Sequence, residues 1–222
     1  MNLKAASLAL ITSLIPFSEI HAQERAAHQG VFVDIGMGYR ELQPQTNLSL
    51  SRMGANIPSS INAGYTGGGV VLANLGYNFA INSDYVLGLG LNASTTGSQS
   101  QNLMISAMNK SISLAGNQAL YNYGAFLAPG AVIGDGLLYL KLGYQIQVNN
   151  SNTGTNYSGY LGGLGYKHIL DQSIYIYSEL NYSIYGSQTQ ARSTSLDGVP
   201  LNISITSAPI SSRILLGLGY QF

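Results

Sequence analysis

Histidine, cysteine and paired carboxylates carry much of protein chemistry, and this sequence is poor in all of them. Its three histidines are His21, His28 and His168, and it has no cysteine. That excludes a disulfide scaffold, a Cys-ligated zinc site and a thiol nucleophile. His28 and His168 stand near opposite ends of the chain. Neither has a close acidic partner in the pattern, which nucleophile activation or a zinc site would need. Gly67-Gly68-Gly69 and Gly162-Gly163 lack the following Lys-Ser/Thr of a phosphate loop. No catalytic group, cofactor or metal is therefore expected. The isolated charges are more informative. Lys+Arg number 9 and Asp+Glu 9, giving a net charge of +0 and a charged share of 8%, against roughly a quarter in ordinary soluble domains. A chain so short of charge does not read as a soluble enzyme. With no long-range field, it is not expected to bind nucleic acid.

The elements that position these charges begin after a leader. Lys4 precedes an apolar run from Ala5 to Phe17, and Ile20-His21-Ala22 follows as a small-residue cleavage site with an imperfect first position. This reads as a cleaved secretory signal over residues 1–22. Pro16 interrupts the run before the about 20 residues that a spanning helix needs. His21 would leave with the leader. Residues 23–222, with Gln23 to Gln29 as a polar lead, are expected to form one domain.

That domain alternates with a period of two in segments of about ten residues. Val31, Val33, Ile35, Met37 and Tyr39 share one face of the first segment, with Asp34, Gly36, Gly38 and Arg40 on the other. The same pattern recurs around Leu75, Leu89, Ala125, Leu140, Leu180 and Leu216, and less clearly in the Gly-rich stretch from Tyr160 to His168. The minority face is Gly, Asn, Gln and a few charges, which suits a narrow polar lumen better than a solvated sheet surface. Tight connections at Ala80 to Asp84, Ile133 to Gly136 and Leu170 to Ser173 alternate with long ones. The long ones are about Gln43 to Thr66, Thr96 to Gln118, Val148 to Tyr157 and Gly186 to Ser207. Three short turns and four long loops require eight strands. The expected fold is an all-β, transmembrane, antiparallel up-and-down β-barrel with four extracellular loops. Tyr77, Phe79, Tyr85, Tyr166, Tyr220 and Phe222 fall near the turn end, and Tyr39, Tyr121, Tyr123, Tyr144, Tyr160 and Tyr182 near the loop end. These are the two aromatic girdles of such a barrel. Asp197-Gly198 is a hairpin signal that would carry the last two strands above the membrane.

Asp34, Arg40, Lys141, Lys167, Glu179 and Arg213 all take the inward phase. Facing lipid at mid-depth, a Lys or Arg would cost about 2–4 kcal/mol. They are expected to form a charge network that, with inward Tyr139, Tyr175, Tyr177 and Phe126, fills the lumen. By depth, Lys141 and Glu179 form the first pair to expect.

The ending Leu216-Gly217-Leu218-Gly219-Tyr220-Gln221-Phe222 resembles the last strand of the small Gram-negative outer-membrane barrels of the OmpA, OmpX and opacity-protein kind. Leu140-Lys141-Leu142-Gly143-Tyr144 and Leu164-Gly165-Tyr166 echo that pattern. The resemblance implies that Phe222, with Tyr220 and Leu218, is the signal read by the barrel-assembly machinery. It also implies an outer-membrane setting among lipid and lipopolysaccharide. The expected role is envelope structure or adhesin-like contact with a host or surface ligand through the loops, by a monomer. Rival readings are a small porin, a carrier of hydrophobic ligands suggested by inward Val70, Leu72, Val86 and Leu215, and a lipid-modifying enzyme.

Overall fold

A computed structural model describes residues 28–52, 55–57, 59–97, 102–107, 110–115, 118–150, 156–171, 173–196 and 199–222. The leader and the Asp197-Gly198 turn lie outside the described residues.

Eight long strands build the wall: β1 (Gly30–Arg52), β2 (Thr66–Ala80), β3 (Tyr85–Thr96), β4 (Gln118–Ile133), β5 (Gly136–Asn150), β6 (Tyr157–Ile169), β7 (Ile174–Tyr185) and β8 (Val199–Gln221). Each pairs antiparallel with its chain neighbour, and β1 pairs with β8 to close the sheet. Closure leaves no free edge across the apolar zone, the condition for a sheet to cross a bilayer.

The period-two sequence becomes a wall that is apolar outside and polar inside. Along β7 exposed and buried residues alternate without a break. Ile35, Leu91, Leu216 and Leu218 stand well exposed on the outer face, while Asp34, Lys141, Gln145 and Glu179 are buried within. β6 follows the same rule: Tyr160, Leu164 and Tyr166 face out, and Leu161 and Lys167 face in. Outward aromatics pair at both rims. At the turn end Tyr77 meets Phe79 at 4.6 Å and Tyr220 meets Phe222 at 4.8 Å. At the loop end Tyr121 meets Tyr123 at 6.4 Å and Tyr144 meets Tyr160 at 5.6 Å.

The three tight turns have local causes. Asn82 Oδ1 accepts from the backbone N–H groups of Asp84 and Tyr85, each at 2.9 Å, an Asx turn that reverses the chain into β3. Between β4 and β5 the turn is Gly134-Asp135, and Gly134 has φ 59°, where a side chain is disfavoured. Leu170 N–H donates to Ile174 O at 2.8 Å in the third. At the barrel seam Phe222 N–H donates to Val31 O at 2.8 Å, tying the chain end to the first strand.

The long connections differ from the sequence expectation. About Gln43 to Thr66 is expected as a loop, yet much of it is strand. In Gly186 to Ser207, where the Asp197-Gly198 signal predicts that the last two strands continue, strand is present on both sides of that dipeptide. The β1–β8 register runs on from Leu42↔Ser211 to Arg52↔Leu201. Gln188–Leu196 joins the outer side of β8, and Ala55–Ile57 joins β1. The cause is a second run of alternation: Leu48 faces Ile205 and Leu50 faces Ile203 across the ladder. In the connection from Thr96 to Gln118, Asn102–Ala107 and Lys110–Ala115 form a hairpin, and Ser59–Ala63 adds to it as a separate three-stranded sheet. β1 alone, at 23 residues, is about twice the 9–11 residues that a tilted strand needs to cross. Its upper half therefore stands clear of the membrane.

Candidate functional site

The lumen holds all six charges singled out by the alternation. They sort into two layers because of where their strands place them. The layer nearer the turns is charge-balanced. Lys141 Nζ, on β5, donates to Glu179 Oε1 at 3.0 Å and Oε2 at 3.1 Å, on β7. It also donates to Asn74 Oδ1 at 3.3 Å. Glu179 accepts from Tyr139 OH at 2.8 Å and Asn181 Nδ2 at 2.6 Å as well. Below this pair, Lys167 Nζ lies 3.6 Å from Asp34 Oδ2 and donates to Tyr175 OH at 3.0 Å. Tyr175 OH in turn donates to Asp34, and Asn74 Nδ2 reaches Asp34 Oδ2 at 3.3 Å. Each ammonium also sits over an aromatic face, Lys141 over Phe126 at 4.2 Å and Lys167 over Phe32 at 4.1 Å, a favourable placement for a desolvated cation.

The layer nearer the loops is not balanced. Arg40 and Arg213 face each other across the β1–β8 ladder, and neither forms an ion pair among the described residues. Their partners are neutral. Arg40 Nε donates to Ser211 Oγ at 2.7 Å, and its Nη2 to Gln147 Oε1. Arg213 donates to Ser94 Oγ at 3.3 Å and Gln145 Oε1 at 3.2 Å. The expectation that four cations would interact with two carboxylates is thus corrected. Asp34 and Glu179 lie in the lower layer and are engaged there by the lysines.

Little space is left in the lower layer. Between Phe32, Asp34, Phe126, Tyr139, Lys141 and Glu179 the free volume is about 10 Å³, room for one water at most. Inward Val70, Leu72 and Leu215 pack on one another, and Val86 packs on Leu137 and Tyr139. These residues fill the wall rather than open a ligand cavity. Phe32, Leu137 and Leu161 also face inward and are not among the expected filling; the phase of Phe32, two before Asp34, marks it. The hydroxyls of Tyr139 and Tyr175 were read as volume alone, because alternation gives direction and not partners.

Both histidines are at the turn end. His168 stacks on Tyr166 with ring centroids 6.4 Å apart. His28, just before β1, is buried, and burial with the nearby Lys167 ammonium holds its imidazole below the usual histidine range. Among the described residues no group of three or more His, Cys, Asp or Glu could hold a metal ion. Leu218, Tyr220 and Phe222 face outward at the end of β8. Glu41 is exposed on the outer face beside the loop-end rim, a strand charge the sequence reading did not weigh.

No family model and no curated relative matches the chain. Among solved structures it is similar to the outer membrane protein OprG from Pseudomonas aeruginosa, with a TM-score of 0.58 at 14% identity over 89% of this chain and 98% of that one. The chain is an outer-membrane-type β-barrel. It is also similar, more loosely, to the outer membrane protease OmpT from Escherichia coli, with a TM-score of 0.42 and 12% identity over 92% and 99% of the two chains. For Ail, the attachment invasion locus protein of Yersinia pestis, the TM-score is 0.38 and the identity 14%, over 87% and 99%. At these identities the likeness is one of fold. What the barrel does must be argued from its own residues.

Proposed function

We propose that this barrel is a sealed, non-enzymatic wall element of the outer membrane, with an envelope-structural or adhesin-like role carried by the strands and loops above the membrane. The observation that carries the reading is the filled lower lumen. Two buried ion pairs and their aromatic neighbours enclose a pocket of about 10 Å³. That is too little for a solute to pass between them, and the outer face of the wall is apolar. The extended β1–β8 ladder and the three-stranded sheet beside it form the remaining built surface. The non-enzymatic reading is supported by the placement of both imidazoles at the turn end, away from the long connections. The partners proposed are outer-membrane lipid and lipopolysaccharide, the assembly machinery and a ligand at the loops.

Single-channel recording in planar bilayers, beside a surface-binding assay on loop-shortened variants, tests the proposal. The intact protein should pass no stable solute current, and loop shortening should abolish binding. Stable, large, solute-passing channels, or binding that survives loss of all the long loops, would replace it with the porin or carrier reading.

A further inference from the structure

We propose that the Arg40–Arg213 layer is a binding site for a compact inorganic anion of the halide class, enclosed as the barrel closes. Three observations converge. First, two guanidinium groups, each under 5% exposed, are directly opposite on neighbouring strands, and like charges so placed repel. Second, the two lumen carboxylates, Asp34 and Glu179, are engaged by Lys167 and Lys141 in the layer below. The described inward charges are thus four cations (Arg40, Lys141, Lys167, Arg213) against two anions (Asp34, Glu179), and the surplus sits with the arginines. Third, the layer holds buried polar atoms without a partner. The donors Arg40 Nη1 and Arg213 Nε have no hydrogen-bond partner, and neither have the amide nitrogens and oxygens of Asn92 and Asn122 on β3 and β4. Asn92 and Asn122 flank Ser94, which Arg213 holds, along the β3–β4 ladder.

Water could satisfy the amides, but it would leave both guanidinium groups buried inside the wall without an ion-pair partner. An anion does both things at once: it accepts from several N–H groups and cancels charge whose desolvation is otherwise uncompensated. A halide needs no directional match and little volume, in keeping with side chains already packed around it. Gln145 and Gln147 turn their carbonyl oxygens to the arginines and their amide nitrogens to Tyr185 and Asn149. They orient the guanidinium groups without supplying negative charge.

The test compares reversible urea unfolding of the full barrel in detergent, in chloride and in gluconate at equal ionic strength and with the same cation. Chloride should raise the midpoint in proportion to the logarithm of its concentration once the site is mostly occupied. In that range a tenfold rise in chloride should increase the folding equilibrium constant by up to about tenfold. Arg213→Gln, which keeps a donor toward Gln145, should remain heat-modifiable and lose the chloride response. Where that variant fails to fold, crystals of the unmodified protein grown in bromide decide, with an anomalous peak expected between Arg40 and Arg213. Equal stability in chloride and gluconate, a full chloride response in Arg213→Gln, or bromide-grown crystals with no peak in that layer would each overturn the inference.

Discussion

Lys141 and Glu179 show what a single buried pair does in this barrel. The carboxylate accepts from an ammonium, a phenol and an amide at once, so its lone pairs are satisfied without water. Glu179→Gln would leave Lys141 buried without a counter-charge, and breaking such a pair costs about 3–5 kcal/mol. Unfolding in urea should show a loss of that order. Replacing both partners, as Lys141→Met with Glu179→Gln, should recover much of it, and a double-mutant cycle measures the coupling. Glycine has a comparably specific task at one position in the same network. A Cβ on Gly165 would collide with the ring of Tyr139, whose hydroxyl holds Glu179. Gly165→Ala should therefore cost about 1–3 kcal/mol by overpacking. A Gly165→Ala, Tyr139→Phe double variant whose loss equals the sum of the two single losses would argue against this coupling.

At the scale of the strand, the informative boundary is where pairing within the barrel ends. β2 begins opposite Leu42 and β7 ends opposite Ile210, so above these points β1 and β8 have left the closed wall. Joining β1 to β2, and β7 to β8, by tight turns just above that level should leave a heat-modifiable barrel on gels. Cutting lower, into the Arg40–Arg213 level, should abolish the heat-modifiable form, because it removes ladder bonds within the closed sheet. Equal loss from both cuts would mean that the upper ladder is required for folding. The upper ladder itself was legible, since Leu48, Leu50, Ile203 and Ile205 repeat the period of two. The Asp197-Gly198 signal predicts the β8 half of it; the β1 half is expected as loop because its intervening Ser, Asn and Thr give that segment a loop-like composition.

For the molecule as a whole, the fold rests on an outer face that lipid must accept. Leu140, exposed midway along β5, tests this directly: Leu140→Arg should cost about 2–4 kcal/mol in refolding into bilayers and far less in short-chain detergent. The chain end tests assembly separately from stability. Phe222 faces outward and makes an edge-to-face pair with Tyr220, so its deletion removes little packing. We expect the deletion variant to accumulate as unassembled periplasmic protein under strong expression, yet to refold in vitro near normally. Normal levels of assembled barrel in cells would refute the assembly role.

The sequence alone determined the number of strands in the closed wall, its tight turns and the direction of nearly every side chain in that wall. All three follow from local quantities: a period of two, short connections and the cost of charge in lipid. It placed Lys141 and Glu179 at one depth on strands that are not neighbours, and they meet at 3.0 Å. Only the tertiary structure decided which charge answers which. That depends on the stagger of strands around the closed wall, set by registers such as Arg40↔Arg213 and Asp34↔Gly219, and no single strand encodes it. Closure brought two cations face to face on the first and last strands, far apart in the chain, and kept both carboxylates below them.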